Sequence, residues 1–332
     1  MSVEKIMSDW KKKSFRPIYW LEGEEDYFID QLVNYAEHNI LNESEVAFNL
    51  TVFYGKDANW PDVVNACRRY PMLAERQVVI LKEAQQMRDV EKLEGYAEKP
   101  LESTILVVSY KEKKIDGRTK FAKLLKEKSE FFSTKKMYDN QLPGWTNDFV
   151  KEKGYSVQPK ALHLLVEHIG NDLSRIANEI EKLLVNLGKR KEITEDDIEN
   201  YVGISKEYNV FELQSAIMQK DLSKAIQIIQ YFEGNPKAAP IQQILPVLYN
   251  FFSKVYMVYG LPSNDDKSIA AGLGVNPFFV KDYKTASVNY DFLSVQKNLL
   301  LLQEYNLRSV GVNDSGTSDA SLLKELVFKM VN

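Results

Sequence analysis

The alternation of strand-like and helix-like segments near the start of the chain first suggests phosphate chemistry. A phosphate-binding loop needs glycines for backbone approach, a lysine to neutralise charge and a hydroxyl to hold magnesium. The segment at that place reads LEGEEDY over 21–27, with one glycine, Gly23. Its acidic side chains would repel a triphosphate at the start of the next helix. The pair Gly188–Lys189 follows a helical pattern instead of a strand. We therefore expect no ATP hydrolysis, no catalytic residue and no cofactor.

Metal and nucleophile chemistry is not indicated either. His163 and His168 are five residues apart, which is not a metal-ligating spacing on a helix, and His38 is far from both. The single cysteine, Cys67, lies in a helical pattern, and the chain contains no G-x-S-x-G motif. We expect structural histidines, no metal site and a reducing, cytoplasmic setting without disulfides.

The most basic stretch is 111–128, KEKKIDGRTKFAKLLKEK, with eight Lys or Arg against three acids. The preferred interpretation is a solvated helix face opposite Phe121, Leu124 and Leu125. The alternative is that DNA phosphates pass near it. In that case the DNA-proximal side chains would be Lys111, Lys113, Lys114, Arg118 and Lys120.

An apolar turn precedes a strongly apolar strand in the segment RRYPMLAERQVVIL, residues 68–81. Connections usually run over the wet surface, so large apolar residues at Tyr70, Met72 and Leu73 need an explanation. Either Met72 and Leu73 pack back into the core, or they form an exposed plug for a partner, since contiguous exposed apolar patches mark interaction sites.

Bulk composition limits the possible partners. The chain has 332 residues, 44% of them hydrophobic, and a net charge of −4. Such a length suggests two or three domains, and such a charge offers no global attraction to nucleic acid or an anionic membrane. The first residues of the chain lack the apolar core of a secretory signal peptide. The most apolar helical stretch, 240–260, is interrupted by polar residues. No membrane association is expected.

The elements that would position these residues are predicted from periodicity. Strand-like segments enriched in β-branched and aromatic residues lie at 17–23, 48–55, 77–84, 103–110 and 131–138. Helical spacing occupies segments between them, such as 27–40 and 61–69. The apolar run Ile105–Val108 suits a strand covered on both faces. Residues 1–142 are therefore predicted to form an α/β domain with a parallel sheet.

From residue 142 onward the pattern is helical, without a convincing strand. A small helical unit is predicted over 143–207, with helices at 161–168 and 172–187 and a capping-box-like helix start at Thr194. The remainder, 208–332, is predicted to form a larger all-α bundle.

Five stretches, in this order, carry a resemblance to a known family: YWLEGEEDYFID, YPMLAERQVVIL, NDLSRIANEIEKLLV, NVFELQSAIMQKDLSKAI and SDASLLKELVFKM. The chain resembles the delta subunits of bacterial DNA polymerase III clamp loaders, in their Bacteroidetes-like form, over essentially its whole length. The resemblance implies an AAA+-like α/β domain without a functional P-loop, then a small helical lid domain and an all-α collar domain.

The same resemblance implies a function in DNA replication. It implies a non-catalytic subunit that binds the sliding clamp (beta) and stabilises its open form for loading onto primed DNA. The implied partners are also the motor subunits (gamma/tau) and delta-prime, within the DNA polymerase III holoenzyme. The implied clamp-binding residues are Tyr70, Met72 and Leu73, although Leu73 stands where the family commonly has an aromatic residue. A degenerate P-loop-type NTPase and a direct DNA-binding module remain as alternatives.

Overall fold

The structure is a computed structural model that describes residues 3–205, 208–235, 239–314 and 316–332. The chain divides into two compact units, Met1–Tyr138 and Asp139–Asn332. The boundary falls a few residues before the predicted one at 142. Residues 143–207 and 208–332 belong to one compact unit, so their separation into lid and collar domains stays a prediction.

The first unit contains a five-stranded parallel sheet, which confirms the predicted α/β class. Its strands are Ile18–Gly23 (β1), Leu50–Tyr54 (β2), Gln77–Lys82 (β3), Thr104–Lys111 (β4) and Glu130–Thr134 (β5). Its helices are Val3–Lys11 (α1), Asp26–Asn39 (α2), Glu43–Asn49 (α3), Trp60–Cys67 (α4), Glu94–Ala97 (α5) and Lys120–Lys128 (α6). The strand order is β2-β3-β4-β1-β5, so β1 lies between β4 and β5.

The sheet is covered on both faces, which explains its continuous apolar runs. Successive side chains of a strand point to opposite faces. In β3, Val78 and Ile80 join one hydrophobic cluster, whereas Val79 and Leu81 join the other. All four side chains are fully buried. A run of four apolar residues is thus required by two cores that share one strand.

Three helices of this unit, α1, α3 and the short α5, were not predicted from the sequence. The helix α1 buries Val3, Ile6 and Trp10. The helix α3 begins at a capping box in which Asn42 and Glu45 satisfy each other's backbone N–H groups. The predicted strand over 48–55 is therefore wrong at its start, because residues 48 and 49 complete α3 and β2 begins at Leu50.

The second unit is predominantly helical. Its helices are Leu142–Glu152 (α7), Pro159–Ile169 (α8), Leu173–Asn186 (α9), Glu195–Asp197 (α10), Val210–Met218 (α11), Leu222–Gly234 (α12), Ile241–Val258 (α13), Asp266–Leu273 (α14), Val280–Asn289 (α15), Phe292–Ser309 (α16) and Asp319–Val331 (α17). One large cluster of buried side chains lies within residues 213–331, and a smaller cluster joins α14 to the start of α15. The capping box predicted at Thr194 is present.

The expectation that no strand follows residue 142 is wrong in one small respect. Ser156–Val157 (β6) and Glu192–Ile193 (β7) pair in parallel as a two-stranded sheet. Such short pairings connect two loops without the alternating pattern that marks a longer strand, so they could not be predicted from periodicity.

Gly23, the last residue of β1, is a position where only glycine fits. Its φ is +130°, a conformation that side chains rarely adopt. A Cβ atom there would lie 2.3 Å from the carbonyl oxygen of Thr134 in β5. The close approach of these two backbones therefore depends on a missing side chain.

We predict that Gly23→Ala lowers the free energy of unfolding by about 2–5 kcal/mol, through backbone strain plus overpacking. Denaturant unfolding measures this. The matched control is Gly95→Ala, since Gly95 lies in α5 with nothing within 4 Å of an added Cβ. The control should change stability by less than about 1 kcal/mol. Equal stabilities for the two variants would contradict the account.

Candidate functional site

The loop between α4 and β3 exposes large apolar side chains. Tyr70 is 80% exposed, Met72 56% and Leu73 95%. The alternative in which Met72 and Leu73 pack back into the core is therefore wrong. We call residues 70–73 the apolar loop. Exposing them costs free energy in isolation, because burying one such side chain is worth about 1.5–3 kcal/mol.

A buried asparagine holds the middle of the apolar loop. Asn49, the last residue of α3, is only 3% exposed. The backbone N–H of Met72 donates to Asn49 Oδ1 at 2.6 Å, and Asn49 Nδ2 donates to the Met72 carbonyl oxygen at 2.9 Å. Nδ2 also lies 3.1 Å from the Glu45 carbonyl oxygen. The backbone at Met72 is thus fixed to α3 through both of its polar groups.

Buried side chains also hold the end of α4, where the chain enters the loop. The carbonyl groups of a last helical turn have no partners within the helix. Here Gln77 Nε2 lies 3.1 Å from the Ala66 carbonyl oxygen and also contacts that of Arg69. Thr104 Oγ1 donates to the Cys67 carbonyl oxygen at 2.9 Å and lies 2.8 Å from Gln77 Nε2. The start of β3 and a neighbouring strand thereby cap α4.

Leu73 has a left-handed backbone, with φ +54°. For a residue with a side chain this conformation costs about 1–2 kcal/mol. On the outgoing side, the Arg76 guanidinium lies 4.9 Å from the centre of the Phe15 ring. The apolar loop is therefore a fixed conformation that projects two consecutive apolar side chains.

The sequence analysis missed a fourth large exposed apolar side chain, which is next in sequence to the residue that holds the loop. Phe48 is 67% exposed and directly precedes Asn49, whose side chain contacts Met72. The pattern placed Phe48 in a strand, although it lies in α3. The capping pair Asn42 and Glu45 was the sequence signal that could have identified this helix.

The place where a phosphate-binding loop would stand is closed. Only Glu24 and Glu25 separate β1 from α2. The backbone N–H of Glu25 donates to Thr134 Oγ1 at 3.1 Å, and Glu25 is 3% exposed. A two-residue connection bonded to β5 cannot wrap a phosphate as the longer glycine-rich loop does.

Two carboxyl groups occupy this junction. Burial raises the pKa of Glu25, partly opposed by Lys136, whose Nζ lies 4.0 Å from Glu25 Oε2. Burial likewise raises the pKa of Asp26, the first residue of α2.

A second Gly-Lys pair, Gly55–Lys56, follows β2 but is succeeded by Asp57 instead of a hydroxyl residue. Neither place offers the donors that hold a triphosphate.

The five candidate DNA-proximal residues do not share one environment. Three form ion pairs with acids of this chain: Lys111 with Asp30 at 2.5 Å, Arg118 with Asp116 at 2.7 Å, and Lys120 with Glu94 at 2.6 Å. Lys113 and Lys114 are exposed, and no acidic partner for them lies among the described residues. At most part of the basic stretch is therefore available to phosphate.

Two of the three histidines, His163 and His168, and the cysteine are at least partly buried. The His163 ring packs at a tilt against Phe211 at 4.2 Å and Phe279 at 4.9 Å, and burial lowers its pKa to about 4. Burial lowers the pKa of His168 and raises that of the Cys67 thiol to about 12. Across 3–205, 208–235, 239–314 and 316–332, no three His, Cys, Asp or Glu side chains are grouped as a metal site requires.

The helices of the described ranges include none that combines the length and the apolar character needed to cross a membrane.

A known protein and a solved structure are similar to this chain over nearly its whole length. The delta subunit of DNA polymerase III from Bacillus subtilis is 27% identical over 333 residues, covering 97% of this chain and 94% of that protein. A solved structure of the Bacillus subtilis DNA clamp loader delta protein (YqeN) matches with a TM-score of 0.55 and 24% identity, covering 99% of both chains. At that identity the structural likeness supports the fold alone, an α/β unit with a parallel sheet followed by a helical unit.

Two family models match separate parts of the chain. "DNA polymerase III, delta subunit" matches residues 19–135, which include the sheet and the apolar loop. "DNA polymerase III delta subunit, C-terminal domain" matches residues 207–326. Together they match well over half of the sequence, so the chain belongs to the family of DNA polymerase III delta subunits.

Proposed function

We propose that this chain is a non-catalytic clamp-loader subunit that binds the sliding clamp through Tyr70, Met72 and Leu73. The observation that carries the proposal is an exposed apolar loop whose backbone is fixed by buried side chains. A soluble protein keeps such a surface for a partner, because it is otherwise a cost. The relatives named DNA polymerase III subunit delta and DNA clamp loader delta protein support the identity of that partner.

The apolar side chains of the loop can supply enough free energy for binding. Three large apolar side chains could supply roughly 5–9 kcal/mol on burial, before ordering costs. A few such anchors commonly dominate an interface. Met72 suits an irregular pocket because its thioether chain is flexible. Phe48, one residue before Asn49, is a further exposed apolar side chain.

Clamp opening follows as a shift in population. A ligand changes a conformational equilibrium only by its difference in affinity for the two states. We propose that the apolar loop supplies most of the affinity and that α4 contacts the neighbouring clamp surface. The subunit then binds the open clamp more tightly than the closed clamp. The clamp is then loaded onto primed DNA in the cytoplasm during replication.

The helical region would join the rest of the loader, with residues 143–207 as the lid and 208–332 as the collar. The outward face of α16 carries three exposed leucines spaced by seven residues: Leu293 is 71% exposed, Leu300 67% and Leu307 44%. Seven-residue spacing places apolar side chains on one helix face, where a partner helix can pack. We propose that this α16 face contacts a neighbouring subunit, either a motor subunit (gamma/tau) or delta-prime.

We predict that the double variant Met72→Ala, Leu73→Ala loses sliding-clamp binding by at least about a hundredfold, since two anchors are removed. Isothermal titration with the clamp from the same organism measures this. The variant should keep its unfolding free energy within about 1 kcal/mol, because both side chains are exposed.

The control for that experiment is Leu81→Ala, which removes a fully buried side chain from β3. It should lose about 2–5 kcal/mol of stability. Its folded fraction should still bind the clamp. Retained clamp affinity in the loop variant, while it is folded, would refute the proposed contact.

We predict that the isolated chain does not bind ATP with magnesium. The two-residue β1–α2 connection and the buried Glu25 leave no phosphate cradle. Equilibrium dialysis with labelled ATP provides the measurement, with a motor subunit as the positive control. Saturable binding to this chain would favour the degenerate NTPase instead.

We predict that Leu300→Asn combined with Leu307→Asn reduces incorporation into the reconstituted loader and leaves clamp binding unchanged. Burying the polar side chains of asparagine against an apolar partner surface would cost free energy. Size-exclusion chromatography of the mixed subunits reports assembly. The matched control is Val288→Asn, an 84% exposed apolar residue on α15. Normal assembly of the α16 variant would remove this face from the proposed interface.

A further inference from the structure

The buried amide of Asn49 is used almost entirely on the apolar loop. Its Oδ1 accepts from the Met72 N–H and its Nδ2 donates to the Met72 carbonyl, at 2.6 and 2.9 Å. The side chain comes from α3, 23 residues earlier in the chain. It therefore replaces, for one residue of an exposed loop, the two bonds that a neighbouring strand would supply.

These two bonds lie immediately before the strained residue. Leu73 adopts φ +54°, which costs about 1–2 kcal/mol for a residue with a side chain. A strained conformation persists only where its surroundings determine it. The fixed backbone of Met72 is the nearest such determinant, since Leu73 itself is 95% exposed and makes little contact of its own.

We propose that Asn49 is a positioning residue that holds the apolar loop in its binding conformation before the partner arrives. This inference rests on the proposed function and adds the residue that prepares the site. Ordering a free loop upon binding would consume part of the interaction free energy. Asn49 removes that cost by ordering the backbone in the unbound chain.

Only a primary amide on a short side chain fulfils this role. One atom must accept from the Met72 N–H while the other donates to the Met72 carbonyl. Alanine offers neither group. Aspartate keeps the acceptor, but when ionised it turns a second oxygen towards the carbonyl oxygens of Met72 and Glu45. Protonated aspartic acid regains one donor.

The first test measures loop order without any partner. In Asn49→Ala, backbone amide exchange in the peptide 68–76 should accelerate by at least about tenfold, because the Met72 N–H loses its acceptor. Clamp affinity should fall by at least about tenfold as the loop becomes free to reorder. The anchor side chains are unchanged in this variant.

The matched control is Asn59→Ala at the other end of α4. Asn59 is an exposed helix cap whose Oδ1 accepts from the Asp62 N–H. Losing it should cost about 1 kcal/mol of stability, as cap removal does. Exchange in the peptide 68–76 and clamp affinity should both stay at the wild-type level. If both variants showed faster exchange in this peptide and weaker clamp binding, the effect of Asn49→Ala would be one of general stability and the positioning role would be refuted.

The second test uses pH. Residue 49 is buried, so the pKa of an aspartic acid there should be raised, because burial disfavours the charged form. Clamp affinity of Asn49→Asp should therefore be weakest at pH 8 and should rise towards pH 5.5, as protonation restores a donor to the Met72 carbonyl. Wild-type affinity over the same range is the reference. An Asn49→Asp profile parallel to that of the wild type would overturn the proposal.

The outcomes separate this inference from the proposed function. If the Met72 and Leu73 anchors are needed for clamp binding but Asn49→Ala binds normally, the function stands and the positioning role fails. If Asn49→Ala loosens the loop and neither set of variants changes clamp affinity, the loop has a different partner and the proposed function fails.

Discussion

The apolar loop can stay exposed because polar side chains hold its backbone at Met72 and hold the end of α4 that leads into it. Asn49 bonds both backbone groups of Met72, and Gln77 with Thr104 caps the carbonyl end of α4. Without these bonds, apolar side chains on a short loop would gain by turning inwards. The buried amides thus decide which side of the loop faces solvent, and the proposed binding surface depends on them.

The junction between β1 and α2 depends on a close approach of two backbones. Gly23 lets β1 approach β5 so closely that a side chain would collide with Thr134. The next two residues complete the connection, and Glu25 is buried with a raised pKa. In this chain the glycine brings two strands together instead of admitting phosphate. The connection from β1 to α2 is therefore short and bonded to β5.

The sheet could be predicted because its strands are marked by runs of consecutive apolar residues. Apolar runs such as Ile105–Val108 are required by two cores sharing one strand, and periodicity records them directly. The apolar loop was also visible in sequence as an anomaly. Its support was not, because Asn49 acts on Met72 across 23 residues, and residue 49 looked like part of a strand. Ion pairs such as Lys120 with Glu94 were hidden for the same reason.

The most direct measurement is methyl NMR of the chain with labelled methionine, titrated with the sliding clamp. The chain has eight methionines, and Met72 and Met257 are comparably exposed, at 56% and 46%. The account predicts that the Met72 methyl signal shifts or broadens with added clamp while the Met257 signal does not. Clamp binding that leaves the Met72 signal unchanged would contradict the central claim.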